Sequence, residues 1–335
     1  MDSTAYLNGV SLIFNSRSNI IIRNIRISSP RDCFPAPEKY PSSWNTRYDA
    51  ISFVTTTTAW LDGNVFADSA SGLVAPDDFL WGWKVDRYDG LFDVEDGSDS
   101  ITFSHNIVAN HHKSLLWGGG EKEGFRDIGK MHFTVFGNHF VNSLSRNPLM
   151  RFGTFYIANN VFENYANKRP RYSYSSNGVS LPRKSLTTED NDDDESSYRP
   201  DFQYNLGIYN LSSVLVSGNY FSQTGRYPND STRIFTFQNL ATPSRPARFC
   251  SPPDHSTSTH LTSLASPQSV LNGKPLNLTA NVFDTFAYHV RAKGDSVAGG
   301  LVSNCAAFEA QDMPFSFDDA DDVLAYVLEN AGQQS

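Results

Sequence analysis

Met131-His132-Phe133-Thr134-Val135-Phe136-Gly137-Asn138-His139-Phe140 is followed 22 residues on by Gly153-Thr154-Phe155-Tyr156-Ile157-Ala158-Asn159-Asn160-Val161-Phe162. In both stretches an aromatic and β-branched run ends at an asparagine, and a phenylalanine follows two positions later. Such runs favour strands. A strand that returns at a fixed interval marks a solenoid whose stacked units bury one continuous core. Working outward, the same shape recurs from Ser18 to Asn24-Ile25, from Ala59 to Asn64-Val65-Phe66 and from Asp99 to Asn106-Ile107. It recurs again from Val214 to Asn219-Tyr220-Phe221 and from Leu276 to Asn281-Val282-Phe283. The longer intervals read as coils carrying inserted loops. Asparagine suits a coil corner because it tolerates left-handed backbone and its amide can bond turn backbone. Stacked corners can then join into an asparagine ladder. The pattern predicts an all-β parallel β-helix.

The expected organisation is one domain over 1–335, with core coils at 10–165 and 205–310. Residues 167–205, which include the acidic run 189–195, and the Ser/Thr/Pro-rich residues 222–274 read as surface loops. A terminal amphipathic helix is expected over 319–331. Asp318-Asp319 would cap it, Val323, Leu324, Val327 and Leu328 would form its apolar face, and Gly332 would stop it.

A formal net charge of −9 argues against general attraction to nucleic acid or anionic membranes, and no stretch is long and apolar enough to span a bilayer. Three cysteines, Cys33, Cys250 and Cys305, allow at most one internal disulfide. The sequons at Asn210, Asn229 and Asn277 are compatible with secretion, although the opening Met1-Asp2-Ser3-Thr4 is not a secretion signal.

Three segments carry chemistry. In Asp89-Gly90-Leu91-Phe92-Asp93-Val94-Glu95, strand periodicity would project Asp89, Asp93 and Glu95 together. Carboxylates so close repel unless a cation sits among them, and calcium, a hard ion seeking oxygen, suits them. In Asn110-His111-His112-Lys113, consecutive strand residues face opposite ways, which disfavours a shared zinc, and Lys113 stands at a site edge. In Arg146-Asn147-Pro148-Leu149-Met150-Arg151, two arginines bracket a proline, and their planar forks suit carboxylate recognition.

Together these segments resemble polysaccharide lyase family 1, the pectate and pectin lyases, over roughly residues 18–165 and again at the end. The matching motifs are Trp60-Leu61-Asp62-Gly63, Asp89 to Asp93, Gly97-Ser98-Asp99-Ser100-Ile101-Thr102-Phe103-Ser104, His112-Lys113, Arg146 to Arg151, and the tail from Asp322 to Gly332. The resemblance implies a right-handed β-helix, secreted and monomeric, that binds calcium and cleaves polygalacturonate by elimination. It implies Arg146 as general base, Lys113 and Arg151 as contacts to substrate carboxylate, and Asp49, Asp89 and Asp93 as calcium ligands. An arginine base requires neighbouring positive charge to oppose its own, which calcium, Lys113 and Arg151 would supply.

Some positions depart from the family pattern. Arg47 stands where many members carry a further calcium-binding acid, and Gly63 replaces a histidine. The chain also opens on what reads as an interior coil, so N-terminal coils and a cap are expected to be missing. Two other readings compete: a pectin lyase acting on methyl-esterified chains, and a non-catalytic polyuronide-binding β-helix. Asp89 and Asp93 together favour the pectate reading, because an esterified chain has no charge to neutralise.

Overall fold

The fold is a right-handed parallel β-helix of three sheets, seen in a computed structural model. It describes every residue except 1–4, 40–42, 69–77, 81–82, 86–87, 167–173, 176–177, 180–201, 239–245, 252–266, 293–299, 306–307, 309–316, 318 and 333–335. The acidic run 189–195 and Asp318 therefore lie outside the described residues.

Each coil visits the sheets in turn. The coil around Asn106 runs Phe92–Glu95 in the second sheet, Asp99–Ser104 in the third and Ile107–Lys113 in the first. Parallel register stacks like on like. Phe133 lies beside Phe155, and Phe140 beside Phe162. Their rings stack at 5.2 and 4.7 Å, and Phe221 continues the second column at 4.9 Å from Phe162. All five are fully buried. The repeated phenylalanine is thus the core itself, and it adds ring stacking to the area it buries.

The corner between the third and first sheets is two residues long, and the work is divided between them. The first residue takes the left-handed conformation: Asn24, Gly63, His105, Gly137, Asn159 and Gly218 all have φ between +50° and +67°. The second carries the ladder. Nδ2 of Asn64 donates to Oδ1 of Asn106 at 3.0 Å, Asn106 to Asn138 at 3.1 Å, Asn138 to Asn160 at 2.9 Å and Asn160 to Asn219 at 3.0 Å. This corrects the expectation that one asparagine does both jobs. Asn24 occupies the left-handed position, and Ile25 takes the rung, donating its backbone N–H to Asn64. Ser269 Oγ ends the ladder by accepting the Asn219 N–H.

Two further expectations are corrected. The segment from Leu276 to Phe283 is not a coil corner, because Leu278–Ala292 is an α-helix. It packs against the end of the second sheet, with the Phe286 and Phe237 rings 5.4 Å apart. Residues 222–274 are not simply a loop: Phe235–Gln238, Ala247–Cys250 and Val270–Leu271 add a strand to each of the three sheets. Cys250 is bonded to Cys305, and Cys33 is a free, exposed thiol.

The C-terminal helix spans Ala320–Asn330. Asp319 caps it by accepting the Asp321 and Asp322 N–H groups, and Gly332 follows at φ +92°. Val323 and Val327 are buried against Val161, whereas Leu328 is 54% exposed and does not belong to the apolar face.

Candidate active site

Strands Ile51–Val54, Phe92–Glu95, Leu115–Trp117 and Leu149–Met150 are successive neighbours in the second sheet. Asp49 lies just before the first, Asp89 before and Asp93 within the second, Lys113 before the third, and Arg146 and Arg151 flank the fourth. Residues up to 102 apart in sequence are thereby stacked along one edge of the helix.

The acids meet at Gly90. A Cβ placed there would lie 2.3 Å from Asp93 Oδ1 and 2.9 Å from Asp49 Oδ1. Glycine is therefore required by close approach rather than by its φ. Asp49 accepts from the Gly90 N–H and from Ser52 Oγ, each at 2.9 Å, and Asp93 accepts from the Leu116 N–H at 3.1 Å. Burial and the Asp89 charge push Asp49 up to about 6, against the opposing pull of Ser52, Gly90 and Lys113. Burial and the Asp49 charge push Asp93 well above the usual carboxylate range, and Arg146 opposes this. Asp89 instead pairs with Lys113, Oδ1 to Nζ at 2.9 Å. Glu95, grouped with these acids by strand periodicity, sits further along, where Glu123 Oε2 and its own Oε2 approach Gly119. Asp49, from the preceding coil, takes its place beside Gly90.

Among the described residues, no three Asp, Glu, His or Cys side chains close around one point as a finished metal cage. The donor chemistry nonetheless fits a hard cation. Asp49 and Asp93 are oxygen donors that repel one another across the space a Gly90 side chain would fill, and the third carboxylate is one ion pair away. Arg47 points elsewhere, holding Asp32 through two hydrogen bonds of 3.0 and 3.2 Å and thereby keeping the Asp32 carboxyl below its usual range.

Arg146 has φ +59°, a conformation that costs a non-glycine residue and survives where the surroundings dictate it. Its carbonyl accepts the Leu115 N–H at 2.9 Å. Beneath it lies a buried polar layer in which Ser114 bonds Ser143, Ser143 bonds the Asn147 side chain, and Asn147 N–H donates to the Asn205 carbonyl. Lys113 and Arg146 open onto a cleft of about 350 Å³, lined also by His112, Gln203, Tyr204, Tyr209, residues 236–238 and His289. Tyr204 donates its hydroxyl to Tyr209, and burial pushes both phenols up.

Arg151 stands on the rim of this arrangement. Its Nε meets Glu121 at 3.1 Å, its Nη1 donates to the carbonyls of Gly118 and Gly119, and the guanidinium lies 4.9 Å from the Tyr209 ring. The two histidines do separate, as alternation requires. His111 is buried, and His112 faces Gln203 in the cleft.

The segment Trp60-Leu61-Asp62-Gly63 lies away from this edge. Asp62 accepts from Arg23, Ser104 and His105, and His105 reaches the Tyr326 hydroxyl of the C-terminal helix. Burial would raise the Asp62 carboxyl, but those partners hold it low. Gly63 occupies the left-handed corner that His105 takes one coil on, and a Cβ there would lie 2.9 Å from Asn24 Oδ1 and 3.1 Å from the Gly332 carbonyl oxygen. Tyr204, Tyr209, Gln203 and His289 escaped the sequence reading because they follow long insertions and belong to no local pattern. The doubled histidine was the visible trace of His112.

The stacked solenoid edge thus carries acids beside a lysine and an arginine. The pectate lyase family model matches residues 2–242, and the chain belongs to that family. It is 30% identical over 222 residues to pectate lyase A of Dickeya chrysanthemi, covering 65% of this chain and 48% of that protein. It is 33% identical over 193 residues to pectate lyase E of Dickeya dadantii (strain 3937), covering 56% and 46%. Among solved structures it resembles the thermostable pectate lyase PL 47, with a TM-score of 0.70 and 22% identity over 98% of this chain and 65% of that one. A pectate lyase bound to hexasaccharide gives a TM-score of 0.66 at 22% identity over the same shares. The chain spans about half the length of the curated relatives it matches.

Proposed function

We propose that the chain is a calcium-dependent pectate lyase that cleaves de-esterified (1→4)-α-D-galacturonan by β-elimination, leaving 4,5-unsaturated oligogalacturonides. The observation that carries this reading is the juxtaposition of Lys113 and Arg146 with the carboxylates gathered at Gly90. The proton to be removed lies on C5 of a galacturonate, beside a carboxylate. Its removal builds a second negative charge next to the first, so cations at that carboxylate are worth most in the transition state.

Arg146 would accept the C5 proton. The C5–H electron pair forms the C4–C5 double bond, the glycosidic oxygen departs from C4, and solvent protonates it. Lys113 and Arg151 would bind and orient the uronate carboxylates. Asp49, Asp89 and Asp93 would hold calcium, which would supply further neutralisation of substrate carboxylate. The family membership and the disulfide Cys250–Cys305 support an extracellular setting, since such bonds persist in oxidising compartments.

Product formation, followed by ultraviolet absorbance on polygalacturonate and on methyl-esterified pectin with calcium or chelator, tests the reading. Chelator-sensitive activity on polygalacturonate is expected. Arg146→Lys and Arg146→Ala should each lose about 100- to 10,000-fold in kcat, the range typical of a general base. Near-normal activity in either variant would remove Arg146 from the role. Activity on esterified pectin in chelator would favour the pectin lyase reading instead.

A further inference from the structure

We infer that His111, clamped between Asp68 and the backbone carbonyl of Asp89, is the positioning residue that sets the acidic site for its cation. The inference rests on the reading of Asp49, Asp89 and Asp93 as cation ligands.

His111 and Asp68 are 2% and 3% exposed. His111 Nδ1 meets Asp68 Oδ2 at 2.5 Å, and Nε2 meets the Asp89 carbonyl oxygen at 2.5 Å. A carbonyl only accepts, so Nε2 carries a hydrogen, and one more proton lies between Nδ1 and the Asp68 carboxylate. The imidazole and carboxylate contribute to the site through geometry. Asp68 is itself anchored one coil earlier, its Oδ1 accepting the Ser29 N–H at 2.9 Å. The clamp thus runs from Ser29 through Asp68 and His111 to the Asp89 backbone, and on through the Asp89 side chain to Lys113.

Its target matters because Asp89 precedes the strand Phe92–Glu95 and is not held by that strand's ladder. Residue 90 is the glycine around which Asp49 and Asp93 converge. A shift of the 88–91 backbone would move the Asp89 carboxylate and the Gly90 N–H that Asp49 accepts. Asn110, at φ +56°, is the local reason His111 can reach: the left-handed residue breaks strand alternation after Val108, which points into the core.

Four variants test this: His111→Leu, which loses both contacts; His111→Gln, which keeps an N–H donor near the Nε2 position; Asp68→Ala, which removes the contacts to both Ser29 and His111; and Asp89→Asn as a reference for loss of a ligand. Calcium affinity is measured by isothermal titration, and amide hydrogen exchange at 88–91 is measured in chelator. His111→Leu is expected to weaken calcium binding by about 10- to 100-fold, as loss of a partner behind a ligand does. It should also speed exchange at 88–91 by about tenfold or more while other coils keep their protection. His111→Gln should restore most of both. If His111→Leu does not fold, Asp68→Ala carries the test, with weakening of about tenfold expected.

Parent-like exchange and affinity in a folded His111→Leu or Asp68→Ala would overturn the inference. So would faster exchange with unchanged affinity, because positioning would then not reach the site. If the parent itself binds no calcium, the cation reading fails, and exchange at 88–91 alone decides whether His111 positions the loop.

Discussion

Asp49 shows how a single carboxylate reports the state of this site. In the unfolded chain it titrates near 3.9, and in the fold it is pushed up to about 6. The folded state therefore holds this proton more tightly. Above about 6 the ionised group costs the metal-free fold up to roughly 3 kcal/mol, and the cost fades as pH falls from about 6 to about 4. Asp32 and Asp62 act oppositely. Their carboxyls are held low, so they contribute stability above about 4 and lose it as pH falls through their folded values. Asp49→Asn in chelator is expected to stabilise the fold at about pH 8 by roughly 1–3 kcal/mol and to do little at about pH 4, while abolishing calcium binding. Urea unfolding midpoints at the two pH values check this. An equal effect at both would mean that ionisation of the buried Asp49 carboxylate is not the cause.

At the scale of elements, the corner between the third and first sheets combines a left-handed residue with a buried amide rung. Asn138 accepts from the Asn106 N–H and Nδ2, and its own Nδ2 approaches Phe103 O, Phe136 O and Asn160 Oδ1. Asn138→Ala strips partners from several buried groups at once, and a penalty of roughly 2–4 kcal/mol is expected. Chemical denaturation should show a lowered midpoint with an unchanged slope. A loss below about 0.5 kcal/mol would mean the rungs are not cooperative. The same amide chemistry explains the misread segment at Leu276. Asn277 Oδ1 accepts the Ala280 N–H, so it starts a helix instead of turning a coil. Leu278, Val282 and Phe286 then recur every four residues and are buried, a helical stripe that a short window takes for a strand.

Across the whole molecule, the solenoid is tied from coil to coil and at its C-terminal side. The disulfide closes 55 residues between Cys250 in the third sheet and Cys305. By chain entropy alone, Cys250→Ser with Cys305→Ser should cost up to roughly 4 kcal/mol, readable as a lower thermal midpoint that reducing agent reproduces in the parent. Of the three sequons, Asn210 uses its amide to hold Glu121 at 3.0 Å and Asn277 caps a helix, whereas Asn229 is exposed. The strands Ala5–Asn8, Leu12–Asn15 and Ser18–Arg23 form one edge of the three sheets, and Ile13 and Ile21 are about two-thirds exposed there.

The amino-acid sequence by itself determined the β-helix, because a solenoid repeats its local pattern and every coil restates the same strand and corner. It also marked Asp89, Asp93, Lys113, Arg146 and Arg151, which sit in short motifs of their own. The family resemblance implied Asp49 as a ligand, but only the tertiary structure brought it to Asp93 at Gly90 and left Glu95 further along, since that contact belongs to the stacking of one coil on another. It likewise decided that the partners of His111 are Asp68 and the Asp89 carbonyl. Strand periodicity specifies which face a residue occupies, whereas the partner on that face comes from a coil tens of residues away.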